Sequence, residues 1–366
     1  MRLTLLLAAL AVAASYPLVN RSRDGGKLRV LYFRAKIESE TEMDRWWDHS
    51  YEAARTHPSL EAYRWGPGWD GYAERKTLRQ NIEARWGYVD ILFFFDYSRT
   101  PKRFASEIRE ISDANLAVVV HRDAEARDMM NEPTIQRYRP HVLEFAYPYE
   151  MIPYYAKYGR DHLLACCPHA ALPEVFYEPD LSRRRGIPLL VAGAMGEKYY
   201  PLRTRVADLV ISGRLPGGVV RKHPGYEQRT PSIEDREAQI RAFAAELKDS
   251  KVIVIGTYRG YLLRKYVESA MAGTLIISEV PTQDQALWQQ VVIPATMDMS
   301  DAEIVSTVKW WVTHDTDRRQ HVAAAQRLVA ARYSERAAVD LLLEGAALYK
   351  AGARGIYCPF SFSNPD

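Results

Sequence analysis

Arg264, Lys265 and Glu268 stand within five residues of one another in the stretch 262–281, LLRKYVESAMAGTLIISEVP. On a helix, spacings of three and four set them on one face, while Val267, Ala270 and Met271 line the face that packs. Two cations beside one carboxylate suit a ligand that carries both a diphosphate and a ribose. Positive charge meets the phosphates, and the carboxylate accepts from the hydroxyls. Arg264 and Glu268 also have the spacing of an ordinary i,i+4 ion pair, worth about 0.2–0.5 kcal/mol, and spacing alone does not choose between the two readings.

Residues of similar chemistry stand at other predicted strand ends. Gly193 and Gly196 follow the apolar run 188–192, with Lys198 and Arg203 just beyond. Glycines there let backbone N–H groups approach a phosphate, and the helix that follows adds its positive end. A lone Gly-x-x-Gly is equally a tight strand-to-helix turn. Lys222 and His223 lie in RKHPGY, 221–226, and Tyr258 and Arg259 follow KVIVI, 251–255. These residues complete a set of candidate donor-binding side chains. In the first third, His121 and Asp123 of VVVHRD stand just past an apolar strand. Histidine titrates near neutrality and can take a proton from an acceptor hydroxyl, which makes the pair the catalytic candidates. Asp70 in GPGWDG and Asp96 are rivals, each equally a cap or turn carboxylate. Trp69, flanked by Gly68 and Asp70, is placed to stack on a sugar ring, so Trp69 and Asp70 are the candidate acceptor contacts. Trp46, Trp47, Trp65 and Trp86 read as core.

Positioning these side chains takes alternating strands and helices, the pattern of an α/β protein with parallel sheets. Strands are expected at 27–33, 61–65, 89–95, 116–120, 142–145 and 162–165, then at 188–192, 219–222, 251–255 and 274–278. Helices are expected at 38–55, 76–86, 104–112, 202–212 and 233–247 and in the stretch from 262 to a stop at Gly273, and residues 301–350 read as almost wholly helical with Trp310 and Trp311 buried. EPDLSRRRG combines charge, proline and glycine near 179–186 and marks a domain boundary. The expected division is 25–180, 181–345 and a tail, 346–366. Ligands of such sheets bind at the carboxyl ends of the strands.

With 366 residues the chain is long enough for two cores. A net charge of +3 from 49 basic and 46 acidic residues gives no support to a nucleic-acid partner. No zinc spacing, His-Glu-x-x-His or Ca²⁺-loop pattern occurs. Residues 1–24 open with MRLTLLLAALAVAAS, the shape of a signal peptide, and the apolar run through 19 reaches the lower length of a membrane span. Residues 3–19 therefore serve as a cleaved signal or an anchor, and the Asn20-Arg21-Ser22 sequon fits exposure to a secretory lumen. An unused signal would leave the chain cytoplasmic. Three cysteines make no disulfide framework: Cys166 and Cys167 are adjacent, and Cys358 is far away. A bridge from Cys358 to either is compatible with an oxidising lumen but is not expected.

KYVESAMAGTLIISEVP resembles the carboxy-terminal signature of glycosyltransferases with two facing Rossmann-like domains, the GT-B type, and is most similar to the CgeB-like, family 1 or 4 branch. PHAALPEVFYEP (168–179), LLVAGAMGEKYYPLR (189–203) and RKHPGY follow in the family's order, and GPGWDGY (66–72) extends the likeness loosely into the first third. The resemblance implies a hexose moved from a nucleoside diphosphate sugar to a hydroxyl acceptor, no metal or other cofactor, and terminal helices that cross back to the acceptor-side domain. Glu268 matches the second glutamate of the family's E-x7-E pattern, which contacts the donor ribose. Gly260 occupies the place of the first. That departure keeps open a relative that binds nucleotide without transfer. A secreted two-lobed solute-binding protein is the alternative from another class.

Overall fold

The computed structural model describes residues 26–36, 44–95, 99–112, 116–122, 137–158, 161–222 and 233–362. The expected signal or anchor at 1–24 lies outside them, as do Asp96, Asp123 and His223. No helix among the described residues is long and apolar enough to cross a membrane.

The chain builds two parallel sheets. Six strands, β1 (Leu28–Phe33), β2 (Leu60–Trp65), β3 (Ile91–Phe95), β4 (Ala117–Arg122), β5 (Val142–Phe145) and β6 (Leu163–Cys166), belong to the first. Five more, β7 (Ile187–Gly193), β8 (Gly218–Lys222), β9 (Ser250–Val254), β10 (Leu275–Ser278) and β11 (Val292–Pro294), form the second in the order β11-β10-β9-β7-β8. β12 (Gly355–Tyr357) returns to the first sheet, whose order is β12-β6-β5-β4-β3-β1-β2. Parallel neighbours need crossover connections, and helices cover both faces, so the central strands read as unbroken apolar runs. β3 is ILFFF, buried at every position.

The first domain carries α1 (Asp44–Arg55), α2 (Leu78–Trp86), α3 (Arg99–Arg103), α4 (Ala105–Ile111) and α5 (Met151–Tyr158). A link then holds α6 (Pro173–Phe176). The second domain carries α7 (Pro201–Ile211), α8 (Ile233–Asp249), α9 (Arg264–Met271), α10 (Gln285–Val291), α11 (Asp301–Thr313) and α12 (Asp315–Arg332). Thr77 and Ser300 close capping boxes at the starts of α2 and α11, each satisfying backbone donors that a helix leaves open.

The terminal helices cross back between the domains. Gln326 on α12 donates to the carbonyls of Glu178 (2.9 Å) and Met271 (2.7 Å), which fixes α12 against α9. The chain then passes Tyr333 and Ser334 into α13 (Glu335–Lys350), which packs on α1, β4, β5 and β6 of the first domain. The two crossings run side by side: Ala171 N–H donates to Tyr333 O at 3.0 Å, and Glu335 N–H to Ala171 O at 3.1 Å.

Three expectations are corrected. The segment expected as a tail supplies β12, an edge strand whose register sets Ile356 opposite Leu164. Cys166 and Cys358 form a disulfide across that pair of strands, because parallel pairing brings their Cα atoms to 4.8 Å. Trp310 is 43 % exposed rather than buried and stacks on His314 at the end of α11.

Candidate functional site

Gly193 ends β7 in register with Lys222 of β8, so both stand at the carboxyl edge of the second sheet. A Cβ on Gly193 would lie 2.7 Å from Arg203 Nη1 and 3.1 Å from Lys265 Cε, so two cationic side chains crowd this backbone. Arg203 is buried, with Nε donating to Ile255 O (2.5 Å) and Nη1 to Ala194 O (2.8 Å), and its guanidinium lies 4.1 Å over the Tyr200 ring. It therefore ties the loop after β7 to the end of β9. Lys265 reaches over Phe243 (5.5 Å), a ring that Arg221 also approaches at 5.6 Å. Gly196 N–H, expected to meet a phosphate, donates instead to Thr204 Oγ1 at 2.9 Å. Lys198 and Arg259 are exposed and lie over the rings of Tyr199 and Tyr258.

Arg264 reaches toward the first domain. Its guanidinium is 2.9 Å from His49 Nδ1, and it pairs with Glu268 and Glu335 at 3.3 Å each. The expected Arg264–Glu268 pair thus exists, but Glu335 and His49 draw the arginine into the domain interface. Glu335 is fully buried, which raises its carboxyl to about 7 even though Arg264 and His121 lower it. Burial, Arg264 and His121 also hold His169 well below its ordinary value. At the end of β10, burial pushes Glu279 up while Thr257 N–H, donating at 2.9 Å, partly offsets this.

Gly260 answers why the first glutamate of the pattern is missing. Its φ is +71°, and a Cβ there would come within 2.8 Å of Thr282 Cγ2. The position has neither the backbone nor the space for a side chain. Gly260→Glu is expected to lower stability by about 1–3 kcal/mol rather than restore a site. An unchanged melting temperature in that variant would contradict this.

On the first-domain side, His121 stands in β4 opposite Glu144 of β5, with Nδ1 at 3.2 Å from Glu144 Oε2 and its ring edge-on to Phe95. It is 2 % exposed, so the ring expected to take the acceptor's proton is closed off from solvent. Trp69 is half-buried, and its Nε1 donates to Arg34 O at 3.0 Å. Asp70 serves through its backbone: its carbonyl accepts from Trp65 Nε1 (3.0 Å) and Arg85 Nη1 (2.9 Å). Arg64 lies 5.2 Å over the Trp69 ring and also lines a cavity of ≈ 610 Å³ between the domains, together with His49, Arg241 and Ser334.

Aromatic residues that sequence reasoning passed over join the two edges. Tyr147 and Tyr149 of the first domain stack on Tyr261 at 4.3 and 4.9 Å, Tyr261 meets Tyr258 at 5.6 Å, and Tyr258 meets Tyr199 at 5.4 Å. Tyr261 OH donates to Glu150 Oε1 at 2.7 Å. The tyrosine-rich YPYE and TYRGY segments carried a signal of this, but only the facing of the sheets brings them together.

No family model matches the chain, and no curated protein matches it in sequence, so neither supports the CgeB-like placement. Solved structures match its shape. A sucrose-phosphate synthase from Thermosynechococcus elongatus superposes with a TM-score of 0.56 at 12% identity, over 89% of this chain and 100% of that one. A trehalose-6-phosphate phosphatase N-terminal domain from Candida albicans gives 0.56 at 10% identity, over 86% and 97%. A Listeria monocytogenes protein named as a UDP-N-acetylglucosamine 2-epimerase gives 0.50 at 10% identity, over 93% and 99%. At such identities the likeness is one of architecture. Two parallel sheets, each backed by helices, with terminal helices returning to the first domain, give this chain the GT-B fold of two Rossmann-like domains.

Proposed function

We propose that the chain transfers a hexosyl group from a nucleoside diphosphate sugar to a hydroxyl acceptor, with the donor lying against the carboxyl edge of the second sheet. The observation that supports this is the meeting of Arg203 and Lys265 around the bare backbone of Gly193. Ligands of open parallel sheets bind at such edges. In this reading Lys265 offsets the negative charge that grows on the leaving diphosphate, and Arg203 holds the glycine loop that approaches it. Glu268, one helical turn from Lys265, accepts from the ribose hydroxyls. Exposed Lys198 and Arg259 draw the anion to the rim. The acceptor takes the cavity beside Arg64 and Trp69. His121 is too deeply held between Glu144 and Phe95 for us to give it the acceptor's proton.

A thermal-shift screen of the full chain against UDP, GDP, ADP, CMP and their sugar conjugates tests the donor site. A ligand at 100 times its dissociation constant adds roughly 2.7 kcal/mol of stability. Lys265→Ala and Glu268→Ala are each expected to weaken the preferred nucleotide by about 1.5–3 kcal/mol. No shift with any nucleotide would favour the two-lobed solute-binding reading instead. A shift without turnover of the conjugate would favour a relative that binds nucleotide only, the reading that Gly260 motivates.

We also propose an oxidising compartment, a secretory lumen or the exterior, with residues 3–19 as signal or anchor. The Cys166–Cys358 bridge supports this, since such bridges persist where thiols are not kept reduced.

A further inference from the structure

His121, Glu144 and Cys167 converge where β4, β5 and β6 end. A ligand-type atom from each lies within 4.8 Å of the others, and all three side chains are buried. Strand register produces the convergence. His121 stands opposite Glu144, and Phe145 opposite Cys166, so Cys167 falls one residue past the end of β6. Successive strand residues point to opposite faces, so Cys166 turns to its disulfide while Cys167 remains a buried thiol.

Glu144 is the least explained member. Among the described residues its ion-pair partner is His121, the thiol of Cys167 is its other hydrogen-bonding neighbour, and Oε1 is buried with no nitrogen or oxygen donor. A buried carboxylate oxygen in that state calls for a proton or a cation.

We propose that His121, Glu144 and Cys167 form a binding site for a zinc-type divalent ion, with a fourth position open to water. The donor set decides the metal class. Imidazole nitrogen, carboxylate oxygen and thiolate sulfur together suit zinc, whereas Mg²⁺ and Ca²⁺ take oxygen sets. Ligand atoms on a tetrahedral zinc stand roughly 3.5 Å apart, so side-chain rotations that close the cluster by about 1 Å would seat the ion. Binding forms one bond each from an imidazole nitrogen, a carboxylate oxygen and the Cys167 sulfur, and the thiol proton leaves to solvent. This proposal shares no residue with the proposed donor site and does not depend on it.

The test uses the full chain with its disulfide intact, loaded with Zn²⁺ or Co²⁺ and dialysed against metal-free buffer. We expect one equivalent retained, a thiolate-to-cobalt charge-transfer band, and visible bands of tetrahedral cobalt. Cys167→Ser should abolish the charge-transfer band, and Glu144→Gln should weaken retention at least tenfold. X-ray absorption of the wild-type zinc form, with one sulfur among the metal's neighbours, decides the matter even if a variant fails to fold. No retained metal, or a zinc environment without sulfur, would overturn the proposal. Nucleotide shifts measured on the same samples report the donor site separately, so either reading can fail alone.

Discussion

Cys358→Ser is expected to lower the unfolding free energy by about 2–5 kcal/mol. The two cysteines are 192 residues apart in sequence, so the bridge closes a loop that contains the whole second sheet. Chain entropy for a loop of that length comes to roughly 5 kcal/mol, and measured values usually fall below that figure. Packing adds to the loss. β12 is three residues long and sits at the edge of its sheet, where the bridge adds to its pairing with β6, while the residues beyond it are held by the buried Phe360 ring beside Tyr333 and by the hydrogen bond from Asp284 N–H to Ser361 O. Fraying would uncover the backbone edge of β6, an invitation to pairing with another chain. Denaturant unfolding of the oxidised protein, the reduced protein and the variant checks this. Equal midpoints for all three would mean that the terminal strand does not couple to the rest of the fold.

Much of the architecture was legible because its signals are local. Runs such as ILFFF and LII are apolar throughout, as strands covered on both faces must be, and Gly273 with φ +65° stops α9 just before β10. β12 carried no such signal, since GIY is short and its central Ile356 is 38 % exposed. Its pairing with β6 is decided by where α13 delivers the chain, and the disulfide follows from that pairing rather than from cysteine spacing. The candidate site divides the same way. The helical spacing of Arg264, Lys265 and Glu268 was readable, and so was the glycine at 260. What the arginine touches was not, because His49 is 215 residues away in the first domain and Glu335 belongs to a helix that crosses back. The cluster of His121, Glu144 and Cys167 was hidden for a related reason. β4, β5 and the residue just past β6 supply one ligand each, and only the register of the strands aligns them.

Arg264→Met is expected to lower stability by about 3–5 kcal/mol at pH 8 and by about 1–2 kcal/mol less than that at pH 5. The guanidinium is the shared partner of Glu268 and Glu335, and Glu335 is 0 % exposed. Breaking a buried pair leaves an uncompensated charge, and that penalty exceeds what the pair gains when intact. The sign of the pH effect follows from Glu335. Burial raises its carboxyl from 4.5 to about 7, so between those values the folded protein holds a proton that the unfolded chain has released. Stability therefore falls as pH rises through that window, by about 3 kcal/mol in all, and levels off above it. Arg264 is one of the groups that limit the shift, together with His121, whereas Glu268 enlarges it. Removing the arginine extends the window upward, so the variant should keep losing stability past pH 7, where the wild type is level. At pH 5 the carboxyl is protonated in both folded proteins, and the difference shrinks to the packing of one side chain and its contacts with Glu268 and His49. Glu335→Gln provides the converse. It should flatten the slope between pH 5 and 7 and make the protein more stable than wild type at pH 8. Urea midpoints at pH 5, 6, 7 and 8 for the three proteins separate charge from packing, since a loss in Arg264→Met that is equal at every pH would assign the arginine's contribution to contact area instead.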